Sequence, residues 1–234
     1  MLVLVAALLP VAGGAAVLLP RDGDGLNQPH SATISSEAMK LVMPSDASRI
    51  DYTYDGTGLK HQTVHTTVTK YTLGNKVLTR TKRDTTRYVG SRIYENGQLD
   101  RVLTPYGYIR NGVHHTFLHD YRGNVAAVVA GDSLVQRTFY YPYGLPHANA
   151  HGATANPYKY SGKEFDTFGG TDLYDFHARY HAPSTGRFMT VDPMAEKYPG
   201  ISPYMYCAGN PIAYIDPDGM QIFVNIDDMI YYYR

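Results

Sequence analysis

The 234-residue chain carries 21 Lys and Arg against 21 Asp and Glu, and a zero net charge argues against a dedicated nucleic-acid binder. Hydrophobic residues make up 44% and charged residues 18%, which excludes wholesale disorder. The single cysteine, Cys207, excludes a disulfide framework and a multi-cysteine zinc site within this chain. With 22 Tyr, 22 Gly, 14 Pro and no Trp, strand formers and turn formers dominate, so an all-β, turn-rich fold is expected.

Residues 1–20 are almost wholly apolar. Leu2–Leu9 has the character of a signal h-region and Ala12–Ala16 supplies small residues, but the basic n-region is missing. Pro10 interrupts a spanning helix. A signal, a membrane segment and the remnant of a longer reading frame are the three readings, and the first two place the protein outside the cell or in its envelope. Residues 21–50 read as a flexible linker. Asp22-Gly23-Asp24-Gly25 lacks the register of a calcium loop, and Ser35–Met43 reads as a short helix ended by Pro44.

From residue 51 to 156 a hairpin pattern recurs. Asp51–Leu59, Tyr71–Val77, Ile93–Leu99, Leu118–Val125 and Tyr140–Leu145 each pair an alternating stretch with a Gly-containing turn. Asn96-Gly97 is the favoured pair for a type I′ hairpin. One hairpin cannot bury its own face, so stacking of antiparallel hairpins into a curved open sheet or partial shell is expected. Residues 60–110 hold ten Lys and Arg against three acids, and residues 138–234 hold six against ten. Such a division suits a basic and an acidic face that pack together or meet a larger assembly.

The segment Tyr52-Thr-Tyr-Asp-Gly-Thr-Gly-Leu59 resembles the YD repeat of bacterial RHS proteins. The resemblance tightens over 157–220, which is similar to the RHS repeat-associated core. It is carried by Tyr158-Lys-Tyr-Ser-Gly-Lys-Glu-Phe165, Thr171–Tyr180, Ser184-Thr-Gly-Arg-Phe-Met-Thr-Val-Asp-Pro193, Tyr204–Pro211 and Asp216-Pro-Asp-Gly-Met220. The resemblance implies a β-shell around an enclosed effector, with a core that plugs the shell and, in several members, releases the effector by aspartyl autoproteolysis. Short helical turns in the C-terminal core complete the expected fold. Five hairpins are too few to close a cage, and the fourteen-residue tail 221–234, read as one strand, is too short for a toxin domain. A truncated or orphan core is therefore expected. Its partners would be the rest of the shell or a secretion apparatus, and an effector.

By that resemblance the candidate pair is Asp192 and Asp216, supported by Arg187, with Met220–Gln221 as the cleaved bond. Two carboxyls sharing one proton are the requirement of aspartyl chemistry. A purely structural reading stands beside it. Asp192-Pro193 suits a helical N-cap, and Asp216-Pro217-Asp218-Gly219 suits a type I turn. Asp218 is a rival for the second carboxylate. No turnover on an external substrate is expected, and self-cleavage is the most the chain would catalyse.

His114, His115, His119, His177 and His181 invite a metal, but residues four apart on a strand stand ~13 Å apart, and no acidic partner follows. No metal and no cofactor are expected. Cys207 reads as a small buried residue. The tyrosines suit either core layers or, in a cell-surface carbohydrate-binding module, a surface for glycans.

Overall fold

The computed structural model describes residues 39–42, 48–56, 58–73, 76–148, 150–152, 154–226 and 229–232. The apolar start, residues 21–38 of the expected linker and the Gly74-Asn75 turn lie outside them. The chain divides into two units, Met1–Val102 with Phe168–Thr171, and Leu103–Thr167 with Asp172–Arg234.

The first unit is an antiparallel meander. Strands β1 (Met39–Val42), β2 (Arg49–Tyr54), β3 (Lys60–Leu73), β4 (Lys76–Val89), β5 (Arg92–Glu95) and β6 (Gln98–Thr104) pair in sequence order. Ile50 and Tyr52, two apart on β2, are buried on one face with Ile93 of β5 also buried. Asn96 and Gly97 take φ of 51° and 84°, the double left-handed geometry of a type I′ turn, and join β5 to β6. One expectation fails here. Met39–Val42 is a strand paired with Arg49–Tyr52 of β2, neither helix nor linker. Pairing with β2 satisfies backbone groups that an isolated helix of nine residues cannot hold in water.

The second unit continues in the same style, with β7 (Gly107–Arg110), β8 (Val113–His119), β9 (Val125–Ala130) and β10 (Ser133–Arg137) again paired in order. Two small sheets follow. One contains β11 (Glu164–Asp166), β12 (Leu173–Asp175), β13 (Tyr180–Ala182) and β14 (Arg187–Phe188); the other contains β15 (Tyr214–Ile215), β16 (Phe223–Ile226) and β17 (Met229–Tyr232). Short 3₁₀ turns at Tyr160–Gly162, Ala195–Lys197 and Cys207–Gly209 supply the expected helical turns. The tail is not one strand but a hairpin, β16–β17, laid against β15.

The core of this unit is aromatic. Tyr160, Tyr174, Phe176, Phe188, Tyr206 and Cys207 are buried together, with edge-to-face packing of Phe176 on Phe188 and Tyr206 at centroid distances of 5.8 and 5.5 Å. Tyrosine serves where phenylalanine would otherwise stand, because its hydroxyl can reach a backbone carbonyl while its ring stays buried. Tyr160 donates to Pro142 O at 2.9 Å, Tyr174 to Gly144 O at 2.9 Å and Tyr140 to Val125 O at 2.8 Å. These tyrosines are core rather than binding surface. The neutral ring of His181 joins them, 4.3 Å from Tyr206; burial pushes its pKa down to about 4.

The Asp120–Asn124 turn is held by its own side chains. Asp120 Oδ1 accepts the N–H groups of Arg122 and Asn124, at 2.9 and 3.0 Å. Asn124 Nδ2 donates to Asp120 Oδ2 at 2.8 Å, and Asn124 Oδ1 accepts the N–H of Ser161 at 2.8 Å. The buried Asn124 side chain thus ties a hairpin turn to the start of the aromatic core. Asn124→Ala leaves the Ser161 N–H and an Asp120 oxygen without these partners. It should lower stability by about 1–3 kcal/mol, read as a lower urea midpoint with an unchanged slope.

Candidate active site

The site is built around Arg179, at the mouth of the β12–β13 hairpin. Asp175 Oδ1 accepts the N–H of His177 at 2.8 Å, and His177 takes a φ of 69°. The chain reverses there, and the N–H of Phe176 bonds Arg179 O at 3.0 Å. This turn sends Arg179 inward, leaving it 2% exposed. Its guanidinium carbon lies 3.7 Å from the centroid of the Phe188 ring, a stacked cation–π contact. All three guanidinium nitrogens are engaged. Nε donates to Gly219 O, Nη1 to Pro203 O at 3.1 Å, and Nη2 reaches Oδ2 of both Asp192, at 2.9 Å, and Asp216, at 3.2 Å.

The structure therefore brings Asp192 and Asp216 to one nitrogen atom. Each carboxylate divides its work. Asp192 Oδ1 accepts the N–H of Met194 at 2.7 Å, a local side-chain turn bond and not the expected helical N-cap, since the 3₁₀ turn runs over Ala195–Lys197 with Met194 at its cap. Asp216 Oδ1 accepts the N–H of Met220 at 3.1 Å. The structural and chemical readings of these residues thus concern different oxygens of the same groups. Asp218 stands apart from Arg179 in its bonding. Its Oδ1 accepts the N–H of Met220 at 2.9 Å and of Gln221 at 3.0 Å. Gly219 between them has a φ of 74° and no room for a side chain, since a Cβ would lie 2.9 Å from Phe176 O and 3.1 Å from Arg179 N.

One guanidinium faces two buried carboxyls, so full ionisation would leave a net negative charge in an aromatic interior. A bound proton relieves this. Burial raises the Asp216 pKa to about 7, against the opposing pull of Arg179 and with further repulsion from Asp218 and Asp192. Burial also pulls Arg179 down from its ordinary value, while Asp192 and Asp216 push it back.

The supporting cation is not the one expected. Arg187 is exposed on β14, and the arginine that touches both aspartates is Arg179. Both lie in segments that resemble the RHS core, but strand alternation turns Arg187 outward while its neighbour Phe188 is buried. The signal for Arg179 was an arginine set in a run of inward-facing aromatics, Leu173–Tyr180. Of the histidines, His181 is buried among rings, His114 and His119 are exposed, and His115 stacks on Tyr108 at 4.4 Å. Among the described residues no group of three His, Cys, Asp or Glu could hold a metal ion. Cys207 is fully buried, and burial pushes its thiol up.

No family model matches the chain. It is 38% identical over 130 residues to salivary gland surface protein 1 of Aedes aegypti, covering 53% of this chain and 4% of that one. It is 41% identical over 97 residues to toxin subunit YenC2 of Yersinia entomophaga, covering 39% of this chain and 10% of that one. The chain therefore spans a tenth or less of the length of these relatives. In fold it is similar to a chain of the Photorhabdus luminescens Tc holotoxin pore carrying an aspartate-to-alanine mutation in TccC3. That likeness has a TM-score of 0.59 at 19% identity, over 85% of this chain and 10% of the other. The chain is thus similar to Tc-type toxin subunits in sequence and to a Tc holotoxin chain in fold.

The Asp216 proton gives the site a signature. The carboxyl binds its proton more tightly folded than unfolded. The folded state holds that extra proton from about pH 4, where an unfolded aspartate titrates, up to about 7. The stability contributed by this group is therefore greatest below that window and falls as pH rises through it. Asp216→Asn should remove this slope, worth up to about 4 kcal/mol over three pH units, in urea midpoints measured across that range. An unchanged slope in the variant would assign the pH dependence to another group.

Proposed function

We propose that this chain is a wall-and-core segment of a Tc/RHS-type toxin shell, and that its core cuts its own backbone once, between Met220 and Gln221. The observation that carries this reading is the pair Asp192 and Asp216 held on one nitrogen of Arg179, with Asp216 also bonded to the amide of Met220. One carboxyl is ionised against Arg179 and the other keeps a proton. The ionised carboxylate takes a proton from a water molecule as its oxygen adds to the Met220 carbonyl carbon. The protonated carboxyl gives its proton to the carbonyl oxygen. As the tetrahedral intermediate collapses, the carboxyl that took the water proton passes it to the Gln221 nitrogen while the other, now ionised, takes a hydroxyl proton back; the C–N bond breaks, leaving a carboxyl group on Met220 and an amine on Gln221. Because the peptide that reacts is part of the same chain, each molecule reacts once.

The meander strands and the likenesses to YenC2 and to the holotoxin chain support the shell part of the reading. On this reading the partners are further shell strands, other subunits of a toxin complex and an effector, and the protein works outside the cell that makes it.

Intact mass after purification tests the cleavage. The wild-type chain should lose the 221–234 peptide on incubation, and Asp192→Asn should stay full-length, a rate loss of at least about 100-fold. A wild-type mass that never changes would remove self-cleavage from the proposal, and cleavage in the variant would remove Asp192 from the mechanism.

A further inference from the structure

The segment that follows Gly219 is held by side chains. Three consecutive backbone N–H groups go to side-chain oxygens. Met220 N–H is shared between Asp216 Oδ1 and Asp218 Oδ1, Gln221 N–H donates to Asp218 Oδ1, and Ile222 N–H reaches the Tyr198 hydroxyl at 3.4 Å. Ile222 itself is buried. Backbone groups in folded chains bond mostly to other backbone groups. The ordinary ladder resumes only at Phe223, where β16 pairs with β15.

We infer that Asp218 is a positioning residue for the self-cleavage, one that aims the Met220 carbonyl by clamping the amide of Gln221. This rests on the reading that Met220–Gln221 is cut. A trans peptide is planar, so the Met220 carbonyl points opposite to the Gln221 N–H. Fixing that N–H on Asp218 therefore fixes the direction of the carbonyl and the face that an attacking water meets. The same oxygen holds the N–H of Met220, so the residue before the cut and the residue after it are locked to one atom. Asp216 is bonded to the neighbouring amide and to Arg179, which places the proton-bearing carboxyl one residue from the bond. Asp218 is thus not a competitor of Asp216 for the acid role. Proximity of this kind is what orientation contributes to catalysis. Tyr198 holds the next N–H and extends the clamp past the cut.

The test is the time course of cleavage in the full chain, followed by intact mass, for wild type, Asp192→Asn, Asp218→Ala, Asp218→Asn and Tyr198→Phe. Asparagine keeps an acceptor oxygen in the same place, and alanine does not. Asp218→Ala should cleave roughly tenfold or more slowly, while Asp218→Asn recovers most of the wild-type rate. Tyr198→Phe should show a smaller loss, roughly two- to fivefold. Circular dichroism and thermal melts on the same samples separate a folded but slow Asp218→Ala from an unfolded one. If Asp218→Ala does not fold, the Asn variant decides alone, since a rate as low as that of Asp192→Asn would mean that Asp218 acts through its charge and not by holding the amide. Wild-type rates in a folded Asp218→Ala, with Asp192→Asn inert, would overturn this inference and leave the self-cleavage standing. A wild-type chain that never cleaves would overturn both.

Discussion

The C-terminal core depends on one buried guanidinium. Arg179 lies against the Phe188 ring and is bonded to carbonyls of Pro203 and Gly219 and to carboxylates of Asp192 and Asp216. These partners come from three separate stretches of chain with little regular structure of their own. The planar fork of an arginine can bond in several directions at once, whereas a lysine offers a point charge. Removing a charged group from water is expensive, and a buried ion pair is a weak source of stability by comparison with well-packed hydrophobic side chains. What this cluster supplies is geometry. It specifies where the three stretches meet.

The aromatic surroundings give that cluster its chemistry. Rings of Phe176, Phe188, Tyr206 and the neutral His181 surround the second unit's core. Their apolar bodies lower the local dielectric, and the Tyr160 and Tyr174 hydroxyls are satisfied by backbone carbonyls. In such a medium two carboxylates on one cation cannot both stay ionised cheaply, and Asp216 keeps its proton up to about pH 7. The richness in tyrosine, the lifted carboxyl and the turn at Gly219 are linked parts of one arrangement.

How much of this could be read beforehand depends on the range of the interaction. The Asn96-Gly97 turn and the alternation of Ile50 and Tyr52 are decided within a few residues, so they were visible as patterns. The pairing of Met39–Val42 was not, because a four-residue segment has no periodicity and takes its form from the edge it meets. The choice between Arg179 and Arg187 was equally invisible. Both stand in aromatic-rich segments, and only the inward sense of the β12–β13 turn separates them.

The sequence by itself determined the class of fold, the hairpin turns, the aromatic supply of the core and the aspartates with a possible second role. These follow from backbone preference and side-chain chemistry, which act locally. Only the tertiary structure decided that Asp192 and Asp216 meet, that Arg179 joins them, and that Asp218 holds the amides of Met220 and Gln221. Those facts depend on residues tens of positions apart converging on one buried charge, and the need to neutralise that charge away from water selects the convergence.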